Sequence, residues 1–221
     1  MKQLTDGVWQ IGGFPPNAIN VFLIDDDDVI DASTRHAGRR ILKQLRGHDV
    51  GAHALTHAHP DHQGASKRIC TELSVPFWVG ERDADAAEDP SLIAQRQPNH
   101  PITRLVDRTF TGPGHPVDRK LREGDAVGSF TVRDVPGHSR GHVAFWRESD
   151  RVLVAGDVLN TADSMTMIPG LHEPKKFFTD DPETNRRSLK RLGELEPKLV
   201  LVGHGPPYRD TKKFVEFCES V

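Results

Sequence analysis

The chain has 221 residues, of which 36% are hydrophobic, and its 29 lysines and arginines against 32 aspartates and glutamates give a formal net charge of -3. This length is sufficient for one domain with a full hydrophobic core, and the charge balance gives no reason to expect nucleic acid as a partner. No apolar run resembles a signal segment or approaches the roughly 18 residues of a membrane span, so we expect a cytoplasmic protein without a membrane partner.

The first eighty residues alternate between strand-like and helix-like patterns. In chain order, we predict strands at 8–12, 18–24 and 28–31, a helix at 37–47, a strand at 50–56, a helix from Asp61 to about Leu73, and a strand at 75–80. The acidic run DDDD (25–28) is predicted to close a hairpin. The basic pair Arg39–Arg40 falls inside the first helix, where we interpret it as part of a solvated face.

The segment from about 81 to 124 differs from the rest of the chain. It is polar, rich in proline and poorly periodic. A long segment of this kind is more often functional than inert. We therefore predict an insertion that caps a site.

The second half of the chain repeats the pattern of the first. We predict strands at 129–135, 142–148 and 151–157, a helix at 182–195, a strand at 198–205 and a closing helix at 210–220. Two halves of this composition favour an α/β fold in which two sheets pack together with helices outside.

The segment HAHPDH (57–62) concentrates groups that can bind a metal. His57 and His59 are two residues apart in an extended chain, so their side chains project to the same side. Asp61 and His62 follow at the predicted start of a helix. A divalent metal stabilises such a cluster because it binds neutral imidazoles and ionised carboxylates together.

Three later residues lie where a predicted strand ends beside a glycine. They are His138 in DVPGHSRGH, Asp157 in VAGDVL and His204 in VLVGHGPP. Because each follows an apolar strand-like run, we expect all three at one edge of the sheets, together with the histidine motif.

These residues resemble the motif set of the metallo-β-lactamase-fold superfamily of metal-dependent hydrolases. His57, His59, Asp61 and His62 match its HxHxDH motif, and the later residues His138, Asp157 and His204 match in the family's order. The resemblance covers nearly the whole chain. It implies one domain over 1–221 with an αβ/βα four-layer sandwich of two mixed β-sheets and outer helices.

The resemblance also implies a binuclear site. One divalent ion would be held by His57, His59 and His138, the second by Asp61, His62 and His204, and Asp157 would bridge them. Asp31 in VIDAS matches a family aspartate that supports the ligands from behind. Zinc is the expected metal, with iron or manganese as alternatives, since this donor set accepts several metals.

The implied activity is hydrolysis of a small-molecule acyl substrate: a carboxylic ester, thioester or lactone. A hydroxide between the two ions would attack the acyl carbon, and Asp61 would act catalytically by moving the proton. The glyoxalase II-like and lactonase-like branches are the most similar. PGHSRGH (136–142) follows the lactonase style, but Asn160 stands where lactonases often have tyrosine.

Several alternatives stay open at this point. A mononuclear iron persulfide dioxygenase uses the same scaffold, which would make the protein an oxidoreductase. A β-lactamase is disfavoured because those with paired zinc lack the bridging aspartate that Asp157 matches. A binding module without catalysis is the third option. His142 is interpreted as a residue that supports the ligands or the structure, and the oligomeric state is left open.

Overall fold

The first half of the chain builds a seven-stranded sheet in which the strands lie in chain order. The computed structural model describes residues 1–221 and places these strands at β1 (Lys2–Thr5), β2 (Val8–Ile11), β3 (Val21–Ile24), β4 (Asp28–Ile30), β5 (Ala52–Ala54), β6 (Phe77–Gly80) and β7 (Arg119–Leu121). Neighbouring strands are antiparallel from β1 to β4 and parallel from β4 to β7. Asp25 and Asp26 turn the predicted hairpin with φ angles of 53° and 59°, which aspartate tolerates in tight turns.

The second half forms a five-stranded sheet and a two-stranded ribbon. Its strands are β8 (Ala126–Val127), β9 (Phe130–Asp134), β10 (Val143–Arg147), β11 (Val152–Gly156), β12 (Asn160–Ala162), β13 (Pro169–His172) and β14 (Leu199–Val202). The five-stranded sheet has the order β14-β11-β10-β9-β8, and β12 pairs with β13 separately. Only β14 is parallel to its neighbour, β11, so this sheet is also mixed.

Eight α-helices accompany the sheets: α1 (Gly38–Gln44), α2 (Pro60–Gln63), α3 (Ser66–Leu73), α4 (Ala84–Glu88), α5 (Ser91–Arg96), α6 (Pro101–Phe110), α7 (Pro182–Gly193) and α8 (Thr211–Ser220). None of them has both the length and the apolar character needed to cross a lipid bilayer.

The main core lies between the two sheets. Phe22 and Ile30 of the first sheet pack there with Phe145, Val154 and Leu201 of the second. A second cluster joins α7 and α8 to the outer face of the second sheet, and a third joins α1 and α3 to the first. The layers are therefore helix, sheet, sheet and helix, which confirms the predicted α/β sandwich.

The helix predicted from Asp61 to Leu73 is two helices, α2 and α3. The chain turns at Gly64 and Ala65, where it packs against neighbouring backbone. A Cβ on Gly64 would lie 2.3 Å from the nitrogen of Arg35 and 2.6 Å from the carbonyl oxygen of Phe110. This close approach explains why a glycine stands at the break.

The segment 81–124 contains α4, α5, α6 and the sheet strand β7. The helices are short, and only α6 carries a clear apolar stripe, with Ile102, Val106 and Phe110 spaced four residues apart. These three side chains line a cavity of about 510 Å³. The segment therefore supplies one wall of that cavity and the edge strand of the first sheet.

Candidate metal centre

The histidine motif begins three residues after β5 ends, at an edge shared by both sheets. His59 precedes α2 in extended conformation, and Pro60 occupies the first turn of α2. Proline costs no hydrogen bond there, because the N–H groups of a first helical turn have no partner within the helix. This arrangement fixes the direction of α2, so Asp61 and His62 face back toward the site. The strand ends of the second sheet supply the rest, with His138 between β9 and β10, Asp157 directly after β11, and His204 after β14.

Asp157 lies at the centre of the cluster. Its Oδ2 is 3.1 Å from Nε2 of His204, 3.5 Å from Nε2 of His62 and 3.7 Å from Nε2 of His138. Nε2 of His204 is also 3.2 Å from Oδ2 of Asp61. One carboxylate oxygen therefore faces imidazoles on both sides, which is the position that a bridging ligand requires.

Three overlapping groups of side chains place their ligand atoms within 4.8 Å of one another. They are His57 with His59 and His138, Asp61 with His62 and His204, and His57 with His62 and Asp157. All seven predicted ligands are therefore brought together. Every histidine of the set is buried, so the cluster is held by the interior of the protein.

Four of the buried ligand atoms lack protein partners. Nε2 of His57, His62 and His138 and Oδ1 of Asp157 form no hydrogen bond. Buried polar atoms are normally paired, and four unpaired atoms in one cluster are a good fit for a divalent cation. Nitrogen and oxygen donors without thiolates are also typical of catalytic sites that keep a position for water.

Hydrogen bonds behind the cluster orient two of the imidazoles through Asp31. Nδ1 of His62 is 2.9 Å from Oδ2 of Asp31, and an ionised carboxylate only accepts, so Nδ1 donates. The hydroxyl of Thr56 donates to the same carboxylate at 2.9–3.0 Å and therefore accepts from Nδ1 of His57 at 3.0 Å. In both histidines Nδ1 is therefore the donor to the supporting groups, and Nε2 is the atom that faces the candidate metal position.

Two further histidines are oriented in the same way. Nδ1 of His204 donates to the carbonyl oxygen of Ala18. The hydroxyl of Thr179 donates to the carbonyl of Lys175 at 3.0 Å and accepts from Nδ1 of His138 at 3.3 Å. Four imidazoles therefore present Nε2 to the centre of the cluster.

Electrostatics at the site favour bound cations. Burial, reinforced by neighbouring imidazoles, holds the pKa of His57 and of His138 well below the usual range, so both are neutral at pH 7. Burial also disfavours the charged form of His204, but Asp157 and Asp61 outweigh it and raise its pKa to about 10. The same carboxylates would attract a metal ion at this position.

His142 does not join the ligand groups. Its Nε2 accepts a hydrogen bond from the backbone nitrogen of Asp157 at 3.1 Å. It therefore positions the turn that carries Asp157, in line with the supporting role predicted for it. A Cβ on Gly156 would lie 2.7 Å from this Nε2, and Gly156 has a φ of +58°, so glycine suits the position on both counts.

Sequence reasoning missed Asp83, a buried residue just before α4. Its carboxylate accepts from the nitrogen of Ala58 at 3.1 Å, from the hydroxyl of Ser139 at 2.5 Å and from the nitrogen of Gly141 at 2.8 Å. Ala58 lies between the predicted ligands His57 and His59, and Ser139 directly follows the predicted ligand His138. Asp83 therefore ties the ligand turn of the first sheet to that of the second. Its sequence surroundings, ERDAD, carry no signal of this role.

The site opens into a cavity of about 510 Å³. His59, Asp61, His138, Asp157 and His204 lie on its wall. The remaining wall is formed by the segment 14–19, by residues before and within α1, by α6, and by the segment 160–178. His36 also lines the cavity. The cavity gives a small molecule access to the cluster.

Comparisons with known proteins agree with this geometry. The family model for the metallo-beta-lactamase superfamily matches residues 14–204. The probable metallo-hydrolase YflN of Bacillus subtilis (strain 168) is 31% identical over 198 residues, which cover 81% of this chain and 75% of that protein. The hydroxyacylglutathione hydrolase GloC of Haemophilus influenzae is 30% identical over 196 residues, covering 84% and 85%. A solved structure of TTHA1623 in a di-iron-bound form is 28% identical, covers 95% of this chain and 92% of that chain, and has a TM-score of 0.61.

Proposed function

Because this chain belongs to the metallo-beta-lactamase superfamily of metal-dependent hydrolases, we propose that it hydrolyses a carboxylic ester, a thioester or a lactone. The observation that carries the proposal is the position of Asp157 Oδ2 among three histidine Nε2 atoms, 3.1–3.7 Å away. The cavity beside this cluster has the size of a small-molecule site.

The fold binds divalent metals, and the overlapping donor groups of this chain support a proposal of two ions. His57, His59 and His138 would hold one, and Asp61, His62 and His204 the other, with Asp157 shared between them. We propose zinc, with iron or manganese as alternatives. Ions bound there would lower the pKa of a coordinated water to about 7 and would polarise the acyl carbonyl.

The side chains of the protein would position the reactants and move the proton. Asp61 lines the cavity, and its Oδ2 faces His204 at 3.2 Å. Its second oxygen is then available to take a proton from the attacking water and pass it to the leaving group. Asp31 and Thr56 keep the imidazoles of His57 and His62 in the binding tautomer while this happens.

The test begins with elemental analysis of the purified protein. About two metal ions per chain are expected, because the proposal divides the seven ligands between two ions. Turnover of an ester, thioester and lactone panel, with a β-lactam included, should disappear after chelation and return with zinc, manganese or iron. One iron per chain with oxygen uptake on glutathione persulfide would instead support the dioxygenase alternative.

Variants separate the site from the rest of the fold. His138→Ala removes a proposed ligand, so we expect metal content to fall and kcat/KM to drop by more than about 100-fold. His48→Ala is a matched control, since His48 lies beside Trp9, outside the cavity. Full metal content and unchanged turnover in His138→Ala would contradict the proposed function.

A further inference from the structure

Arg40 lies on the wall of the cavity that the predicted ligands share. The sequence prediction placed Arg39 and Arg40 together on a solvated face of α1. Arg39 is exposed as predicted, but Arg40 is half-buried and its side chain lines the cavity. The two arginines therefore have different environments, although they are adjacent in sequence.

The guanidinium of Arg40 is only partly satisfied by the protein. Nη1 donates to the carbonyl oxygen of Gly12, while a guanidinium has five N–H donors. Burial lowers the pKa of Arg40, and no carboxylate of the protein opposes the effect. By contrast Lys175, the other strong cation on the wall, is paired with Asp163.

Outside the candidate metal centre, the charged side chains on the cavity wall are basic. Apart from Asp61 and Asp157, which belong to the metal centre, no acidic residue lines the cavity. Apolar side chains such as Ile19, Ile102 and Val106 form much of the wall. A partly desolvated cation without a counter-charge is costly, and a bound anion would offset that cost. The planar guanidinium suits a carboxylate, which it can contact through two parallel hydrogen bonds.

We propose that the substrate carries a carboxylate in addition to the acyl bond that is cleaved, and that Arg40 binds this carboxylate. The inference rests on the proposed function, because it takes the cavity as the place where the acyl substrate binds. The apolar wall then accommodates the carbon chain between the two groups.

The test compares charged and neutral esters of equal length. The substrates are 4-nitrophenyl half-esters of straight-chain dicarboxylic acids, from adipic to sebacic acid, each measured against the 4-nitrophenyl ester of the fatty acid with the same chain length. In the metal-loaded enzyme we expect a higher kcat/KM for the best half-ester. In Arg40→Gln the ratio of the two kcat/KM values should fall by about 10–100-fold, mainly through KM.

Two further variants sharpen the comparison. Arg40→Lys keeps the charge but loses the forked geometry, so we expect an intermediate ratio. Arg39→Gln is the matched control on the same helix and should keep the wild-type ratio. If Arg40→Gln lowers kcat/KM equally for both ester types, Arg40 serves only to hold the Gly12 segment and the inference is overturned.

Binding of the free acids supplies a readout that needs no turnover. Calorimetry on the metal-loaded protein should show tighter binding of the dicarboxylate than of the fatty acid of equal length, and Arg40→Gln should abolish this preference. If no ester is hydrolysed but the preference is present and depends on Arg40, the hydrolase proposal fails while the carboxylate site stands. Equal binding of both acids by the wild-type protein overturns the carboxylate site.

Discussion

Gly203 lies one residue before His204 and has no room for a side chain. A Cβ at this position would be 2.0 Å from Oδ1 of Asp157 and 2.5 Å from Cε1 of His62. The backbone of Gly203 is outside the left-handed region, so alanine would meet no conformational strain. Gly203→Ala therefore tests the position of the bridging carboxylate without removing any proposed ligand.

The expected effect follows from the distance. Real Cβ atoms do not approach other heavy atoms below 3.0 Å, so Asp157 must move by about 1 Å. A misplacement of about 1 Å can cost about 10²-fold in rate, which corresponds to about 2.7 kcal/mol of activation free energy. We expect kcat/KM to fall by about this factor and the metal content to fall with it.

The assay is hydrolysis of the best substrate found for the wild-type protein, together with elemental analysis of the same samples. Gly47→Ala is the control. Gly47 has a φ of +89° with nothing within 4 Å of an added Cβ, so alanine there strains the backbone by about 1–2 kcal/mol without touching the site. Gly203→Ala with full metal content and wild-type kcat/KM would refute the central position assigned to Asp157.

Two other predictions concern buried aspartates. Asp83→Asn should weaken metal binding by about 10–100-fold and lower the free energy of unfolding of the metal-free protein by about 1–3 kcal/mol, because an amide accepts on one oxygen only. Metal titration measures the affinity and urea denaturation measures the free energy of unfolding. Unchanged values of both would exclude the role of Asp83 in joining the two ligand turns. Burial, with the charges of Asp27 and Asp25, raises the pKa of Asp28 from 3.8 to about 6. The contribution of Asp28 to stability is thus present at pH 4 and is lost as the pH rises through 6. Between pH 4 and pH 8, the free energy of unfolding of Asp28→Asn should rise by about 1–2 kcal/mol relative to that of the wild-type protein. Urea denaturation at several pH values measures this difference, and a difference that does not change with pH would contradict the prediction.

The sequence predicted the layers of the fold because most of its strands are short apolar runs next to turn residues. The same feature located the metal centre, since His138, Asp157 and His204 each follow such a run. An apolar run that ends in a polar residue places that residue at a sheet edge. The resemblance to a family then indicated which of these edge residues belong together.

The sequence could not predict features that depend on distant parts of the chain. Asp83 lies in a polar segment, and its partners Ala58 and Ser139 become its neighbours only when the two sheets pack together. Arg40 was interpreted with Arg39 because helical periodicity does not reveal a cavity formed by other segments. Helices α4, α5 and α6 were missed; α4 and α5, with five and six residues, are too short to show a period.

The order of the strands determines which part of the chain completes each proposed ligand group. His57, His59 and His138 all precede β10, whereas the group of Asp61 and His62 is completed by His204, which follows β14. The second proposed ion position therefore needs a residue from the C-terminal end of the chain, whereas the first does not.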